Sequence, residues 1–178
     1  MSRVTLLDLF SHSDVQKYVK RSGLAHAVAC AYHAYRLAPE YKTDVELAVK
    51  AAFLHDIGHY TWYRDGEWDY ELYRRNDIHA IKGAERAHRI LIELGEDPAD
   101  AKRISLAVLL HTDSFLPEQS IRREPLQEVV AAADEADEEP GGLHHYRSIS
   151  DYEAAYRLRQ LDTLLAGPSL TEQTTAAN

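Results

Sequence analysis

Apolar residues recur along most of this chain at the three- and four-residue spacing of amphipathic helices, and no stretch shows convincing two-residue alternation of a half-buried strand. Val4 to Lys20 predicts a first, less regular helix, and Gly23 interrupts the pattern. Leu24 to Leu37, rich in alanine and closed by Pro39, predicts a second. Thr43 or Asp44 can cap a third, which runs through VELAVKAAFLHD and stops at Gly58. A fourth covers roughly Ala80 to Leu94 and ends at Gly95. Asp97-Pro98, a cap followed by proline at the first helical position, opens a fifth to about His111. Glu124-Pro125 opens a sixth through LQEVVAAADEAD. Ser150-Asp151-Tyr152-Glu153 has capping-box spacing ahead of a last helix to about Leu165. The expectation is an all-α compact bundle of six or seven helices forming one domain over residues 1–166, with its core in 24–137. A small polar tail, 167–178, is expected to fray. The pattern fails between Tyr60 and Asp77, in YTWYRDGEWDYELYRRND. That long insertion is either a lid carrying Trp62, Tyr63, Trp68, Arg74 and Arg75, or a surface excursion with a few docked aromatics.

With 45% hydrophobic and 28% charged residues, the 178-residue chain has an ordinary globular composition and enough length for one helical core. Its formal net charge of -9 argues against a broad nucleic-acid surface, because phosphate backbones are held by clustered Lys and Arg. It leaves room for a small phosphorylated substrate, since a bound metal can supply positive charge locally. The single cysteine, Cys30, excludes an internal disulfide and, within AHAVACAYHA, reads as a small buried hydrophobe. No segment reads as a membrane span or a signal peptide, so a cytoplasmic protein is expected. The aromatics of the Tyr60 to Tyr73 stretch suit a homodimer contact as readily as a lid.

Histidine changes the picture. There are ten, and several stand beside aspartate within apolar helical runs. In AAFLHDIGHY, residues 51–60, an apolar helix runs straight into His55 and Asp56. Mid-helix neighbours point about 100° apart, whereas at a last turn both can reach one point. A buried imidazole beside a buried carboxylate is costly unless compensated, and a divalent cation compensates both. The same chemistry recurs elsewhere: His26 begins HAVACAYHAY, His79 immediately precedes AIKGAERAHRIL, His111 ends RISLAVLLH, and Asp134 lies in VVAAADEAD. Five helical segments thus each place His or Asp where it should face inward. Such ligands suit Mn, Fe, Co, Ni or Zn, with Mg a less natural occupant.

The order His26, His55-Asp56, Asp134 resembles the HD superfamily of metal-dependent phosphohydrolases, and the string HDIGH is the specific part of the match. HAIKGAERA from His79 and LAVLLHTD through His111 resemble two further ligand segments, so the similarity spans about Leu24 to Asp137. The resemblance implies two divalent ions bridged by Asp56, with His26, His55, Asp56 and Asp134 on one, and Asp56, His79 and His111 on the other. It implies phosphoester hydrolysis of a small molecule, a nucleotide being one possibility, through a metal-activated hydroxide.

His59 is a candidate proton donor to the leaving group, a phosphate-positioning group, or a hydrogen-bond partner of the ligands. Lys82 is a candidate phosphate binder, or a solvated surface lysine. Asp113 either orients a ligand or water, or is exposed. His12, His33 and His88 read as structural or solvent-facing, and His144-His145 as exposed or folded over the site. Two other readings compete. One is an oxygenase of the same superfamily, holding a mixed-valent iron pair. Members of that oxygenase branch, which cleaves a C–C or C–P bond, carry a Tyr and a Glu shortly before the first histidine, whereas SDVQKYVKRSGLAHA offers Asp14 and Tyr18 but no glutamate. The other is a regulatory module without turnover, against which the complete ligand set argues.

Overall fold

In the computed structural model, which describes residues 3–60, 63–64, 67–116, 121–137 and 147–167, every residue from Leu47 to Leu54 is buried. A helix apolar all round can be stable only when neighbours cover it on all sides. This one, α4 (Val45–Leu54), is covered by α3 (Leu24–Leu37), α7 (Pro98–Leu110) and α8 (Pro125–Asp137). Lys50 is the polar intruder. Its ammonium is buried and meets Glu46 at 2.6 Å and Glu96 at 2.5 Å, which ties the core helix to the turn after α6 (His79–Leu94). In α6 the buried positions Ala80, Gly83, Ala87, Ile90 and Leu91 keep helical spacing and form the face laid on α7. Gly95 ends the helix in the left-handed conformation, φ 88°.

The expected first helix divides into α1 (Leu6–Ser11) and α2 (Ser13–Ser22). The break is a capping event. Thr5 and Asp8 form a capping box that starts α1, and His12 leaves the helix with φ -70° and ψ 129°. The His12 ring then accepts the Asp14 backbone N–H, starting α2 anew. Helix α9 (Asp151–Ala166), capped by Ser150, lies over α1 and α3. Its Asp162 accepts the N–H groups of Leu6 and Leu7 at 2.8 and 3.1 Å.

The 60–78 insertion carries a two-residue antiparallel ribbon, Tyr63–Arg64 against Glu67–Trp68, and the short helix α5 (Tyr70–Arg75) capped by Asp69. Splitting the first helix and adding α5 gives nine helices among the described residues, two more than the largest expected number. Both extra features are too short to show a hydrophobic period. Trp62, His144, His145 and the tail beyond 167 lie outside the described residues.

Candidate metal centre

The chain closes antiparallel hairpins α3–α4 and α6–α7 through short connections, so the start of the first helix of each pair adjoins the end of the second. His26 is in the first turn of α3 and His55 directly follows α4. His79 opens α6 and His111 directly follows α7. Helix α8 brings Asp134 to the same end of the bundle from its last turn. Five helix ends therefore meet at one place.

Helix α4 stops at Leu54, and His55 to Gly58 form a turn with Ile57 N–H donating to the Leu54 carbonyl at 3.0 Å. This turn, rather than a continued helix to Gly58, is what frees adjacent His55 and Asp56 to face one centre. Gly58 does not act as a helix stop. A Cβ there would lie 1.8 Å from the His79 carbonyl oxygen and 2.3 Å from the Gly83 nitrogen. The missing side chain lets the turn touch the first turn of α6, which brings Asp56 near His79.

The four rings are held in one protonation pattern. His55 and His111 donate from Nδ1 to the carbonyls of Ala52 and Val108, both at 2.7 Å. His26 Nδ1 faces Asp137 Oδ2 at 2.7 Å, and His79 Nδ1 faces Asp77 Oδ1 at 2.7 Å and Oδ2 at 2.8 Å. Carbonyls and carboxylates only accept, so each Nδ1 carries the proton and each Nε2 presents a lone pair inward. Those inward atoms stand 3.2 Å apart for His26 and His55, and 3.3 Å apart for His79 and His111. Buried lone pairs that close repel unless an electrophile lies among them, so this donor set fits divalent cations.

Asp56 divides the cluster in two. Its Oδ2 lies 3.3 Å from His55 Nε2 and 3.8 Å from His26 Nε2. Its Oδ1 lies 3.6 Å from His111 Nε2 and 3.7 Å from His79 Nε2. Asp134 Oδ1 joins the first group at 3.0 Å from His26 and 3.4 Å from His55. Burial opposes charge on His55, yet Asp56 and Asp134 hold its pKa well above the ordinary imidazole value. In the metal-free protein that shift favours a proton on His55 Nε2, the atom whose lone pair is freed when a cation takes the proton's place. The site is electron-rich in either state, because proton and cation compete for the same Nε2. Burial would raise the Asp56 and Asp134 carboxyls, but the surrounding imidazoles, His55 foremost, hold both low. Burial lowers His111 despite Asp56.

His59 differs from the other four rings. Its Nδ1 faces a hydroxyl, which unlike a carbonyl or carboxylate does not require a proton there, so Nε2, 3.1 Å from the acceptor Asp56 Oδ1, can carry the ring proton and point it into the centre. The ring stacks on His79 at 4.2 Å between centroids, and its Nδ1 meets the Tyr73 hydroxyl at 2.5 Å. Burial disfavours its charge, but Asp56 raises its pKa.

All six expected ligands are thus brought together, with His59 beside them. Lys82 stands outside the cluster, exposed on α6 with its ammonium 5.0 Å from the Tyr60 ring centre. Asp113 is half-buried in the turn after His111 and its carbonyl accepts from Leu116. Asp14 pairs with Arg89 at 2.8 Å, and Tyr18 lies under the Arg86 guanidinium at 3.4 Å. Arg74 and Arg75 are exposed, Arg74 being paired with Glu71. His33 is half-buried, 3.8 Å from Asp137. Cys30 is buried as expected, but its sulfur also lies 3.6 Å from both nitrogens of His26. Sequence reasoning missed Asp77, Asp137 and Tyr73. For Asp137 a signal existed, because it follows Asp134 by three residues and shares its helix face.

Comparison with known proteins adds a family and a relative. The family model described as "HD domain" matches residues 23–139. A Bacillus subtilis (strain 168) protein named "Putative phosphohydrolase YueE" is 61% identical over 165 residues, covering 93% of this chain and 94% of its own. No solved structure matches.

Proposed function

The chain belongs to the HD-domain family, and on that premise we propose that it is a metal-dependent phosphohydrolase acting on a phosphoester of a small molecule, with nucleotides among the candidates. The observation that carries the reading is the division of Asp56, whose two oxygens face two separate pairs of histidine lone pairs. A carboxylate so placed can span two divalent ions, His26, His55 and Asp134 completing one position and His79 with His111 the other. Bound there, the ions would acidify water and offset the charge of a phosphoryl group. The printed name of the B. subtilis relative supports the same class.

This chain's own residues supply the rest. The outward hydrogen bonds of the four ligand rings keep their lone pairs aimed without reorganisation when an ion arrives. With the four ligand rings holding ions through Nε2, His59 keeps an N–H directed inward, and as the imidazolium that Asp56 favours it can give that proton to a leaving-group oxygen and be left as neutral imidazole. Lys82, one turn beyond His79 and exposed on α6, is the candidate to hold a substrate phosphate by charge.

The test is elemental analysis of purified, unchelated protein, followed by a panel of phosphomonoesters and phosphodiesters assayed with each of Mn, Co, Ni, Fe, Zn and Mg. Two metals per chain and metal-dependent phosphate release are expected, and Asp56→Ala should lose both metals. A metal-loaded wild type inert on the whole panel, or an Asp56→Ala protein retaining full occupancy, would overturn the reading.

A further inference from the structure

The four ligand rings are not backed alike. His55 and His111 lean on backbone carbonyls, which cannot be altered without moving a helix end. His26 and His79 lean on side-chain carboxylates, Asp137 and Asp77. The distribution is one of each kind per position: His26 with His55 on the Oδ2 side of Asp56, and His79 with His111 on the Oδ1 side. The two carboxylates come from opposite regions of the chain. Asp137 is the last residue of α8 and is buried. Asp77 belongs to the 60–78 insertion, directly before α6.

Resting on the two-ion reading above, we propose that Asp137 and Asp77 are positioning residues, each assigned to one metal position, so that the two halves of the centre are tuned separately. A carboxylate behind an imidazole fixes the ring's orientation and raises the basicity of the opposite nitrogen more than a carbonyl does. The two backings differ in their own partners. Asp137 Oδ2 is also bonded by the Arg147 guanidinium, and its Oδ1 lies 3.8 Å from His33 Nε2. Asp77 is met by the hydroxyl of Ser114, which donates to Oδ2 at 3.1 Å, and its Oδ1 also accepts the His79 backbone N–H at 3.0 Å. Asp137 shares its charge with a guanidinium, whereas among the described residues Asp77 gathers the neutral hydroxyls of Ser114 and Tyr73 and a backbone N–H beside His79. The insertion therefore carries the support of the His79–His111 position, and the 147–149 segment entering α9 carries part of the support of the other.

Because aspartate and asparagine are nearly isosteric, and the asparagine oxygen still accepts from Nδ1, Asp77→Asn and Asp137→Asn test the charge without emptying the space. Metal-free wild type and both variants would be titrated with Mn(II) alone, following heat and bound metal per chain. His111→Ala and Asp134→Ala serve as references for which position is lost. Circular dichroism checks that each protein is folded. The expected result is a ten- to hundred-fold loss of affinity at a single position in each variant. In Asp77→Asn it is the position His111→Ala abolishes, and in Asp137→Asn the one Asp134→Ala abolishes. Wild type binding two ions, with each variant unchanged or weakened equally at both positions, would overturn the assignment while leaving the two-ion reading intact. Wild type binding fewer than two ions would overturn both.

Discussion

At the scale of single residues, chemistry here is decided by which nitrogen of each imidazole carries the proton. Four rings hand their Nδ1 protons to fixed acceptors and leave Nε2 as the inward atom that an ion can take, while His59 turns a proton inward toward Asp56. The expected ligand roles follow from this asymmetry. His111→Ala should lose the ion on the Oδ1 side of Asp56 and keep the other, giving about half the wild-type metal by elemental analysis. Loss of neither ion would reduce the centre to one position. The six clustered His and Asp residues were legible from sequence, because His or Asp at the end of an apolar helix is conspicuous. Asp77 was not, because an aspartate just before a helix reads as a cap, and the three-residue spacing of Asp137 from Asp134 marks a shared face without saying which ring it backs. Their role depends on the ring that faces them.

At the scale of elements, two close approaches fix the geometry. The first is the turn after α4 against the start of α6, where Gly58 meets the His79 carbonyl and Gly83. Gly58→Ala puts a methyl group inside a backbone contact that no rotamer can relieve. The expected cost is about 3 kcal/mol of folding stability, read from the midpoint of a denaturant titration. A neutral result would mean that the two backbones separate readily. The second is the buried Lys50, held between Glu46 and Glu96. Lys50→Met keeps the volume but leaves the nearly buried Glu96 carboxylate without its cation. A loss of about 3 kcal/mol is expected in the same assay, and suppression of that loss by a second change, Glu96→Gln, would identify the unpaired charge as the cause. Helical periodicity exposed most of these elements, yet it joined α1 to α2. The break at His12 is made by caps, and a cap interrupts the backbone without interrupting the apolar spacing.

At the scale of the whole molecule, protons and metal ions compete for one electron-rich centre at the end of the bundle. In the metal-free protein, burial works against charge on His55 but the Asp56 and Asp134 carboxylates raise its pKa. A group raised on folding contributes stability that is complete below its unfolded value, about 6.5, and lost as pH climbs through the higher folded value. Asp56 and Asp134 are lowered on folding, so their contribution stands above about pH 4 and disappears as pH falls below it. Above about pH 7, where His33 and His111, both lowered on folding, are neutral folded or unfolded, metal-free protein should therefore melt at progressively lower temperature as pH is raised to about 9. An added divalent ion must displace the His55 proton, so the rise in Tm it produces should widen over the same interval. Differential scanning calorimetry with and without Mn(II) checks both trends. A metal-free Tm that climbs with pH above about 7 would contradict the assignment of His55 as the raised group.

The sequence by itself determined the helical class, the approximate position of the long helices and the identities of the six clustered His and Asp residues. Each of these is written in local spacing, apolar period and chain order. Only the tertiary structure decided which oxygen of Asp56 faces which histidines, which acceptor holds each ring, and that Asp77, Asp137 and Tyr73 belong to the centre. These are contacts between residues as far apart as His26 and Asp137, made when antiparallel hairpins bring five helix ends together. A one-dimensional pattern records which faces are buried, but the pairing of side chains across those faces arises only when the helices pack.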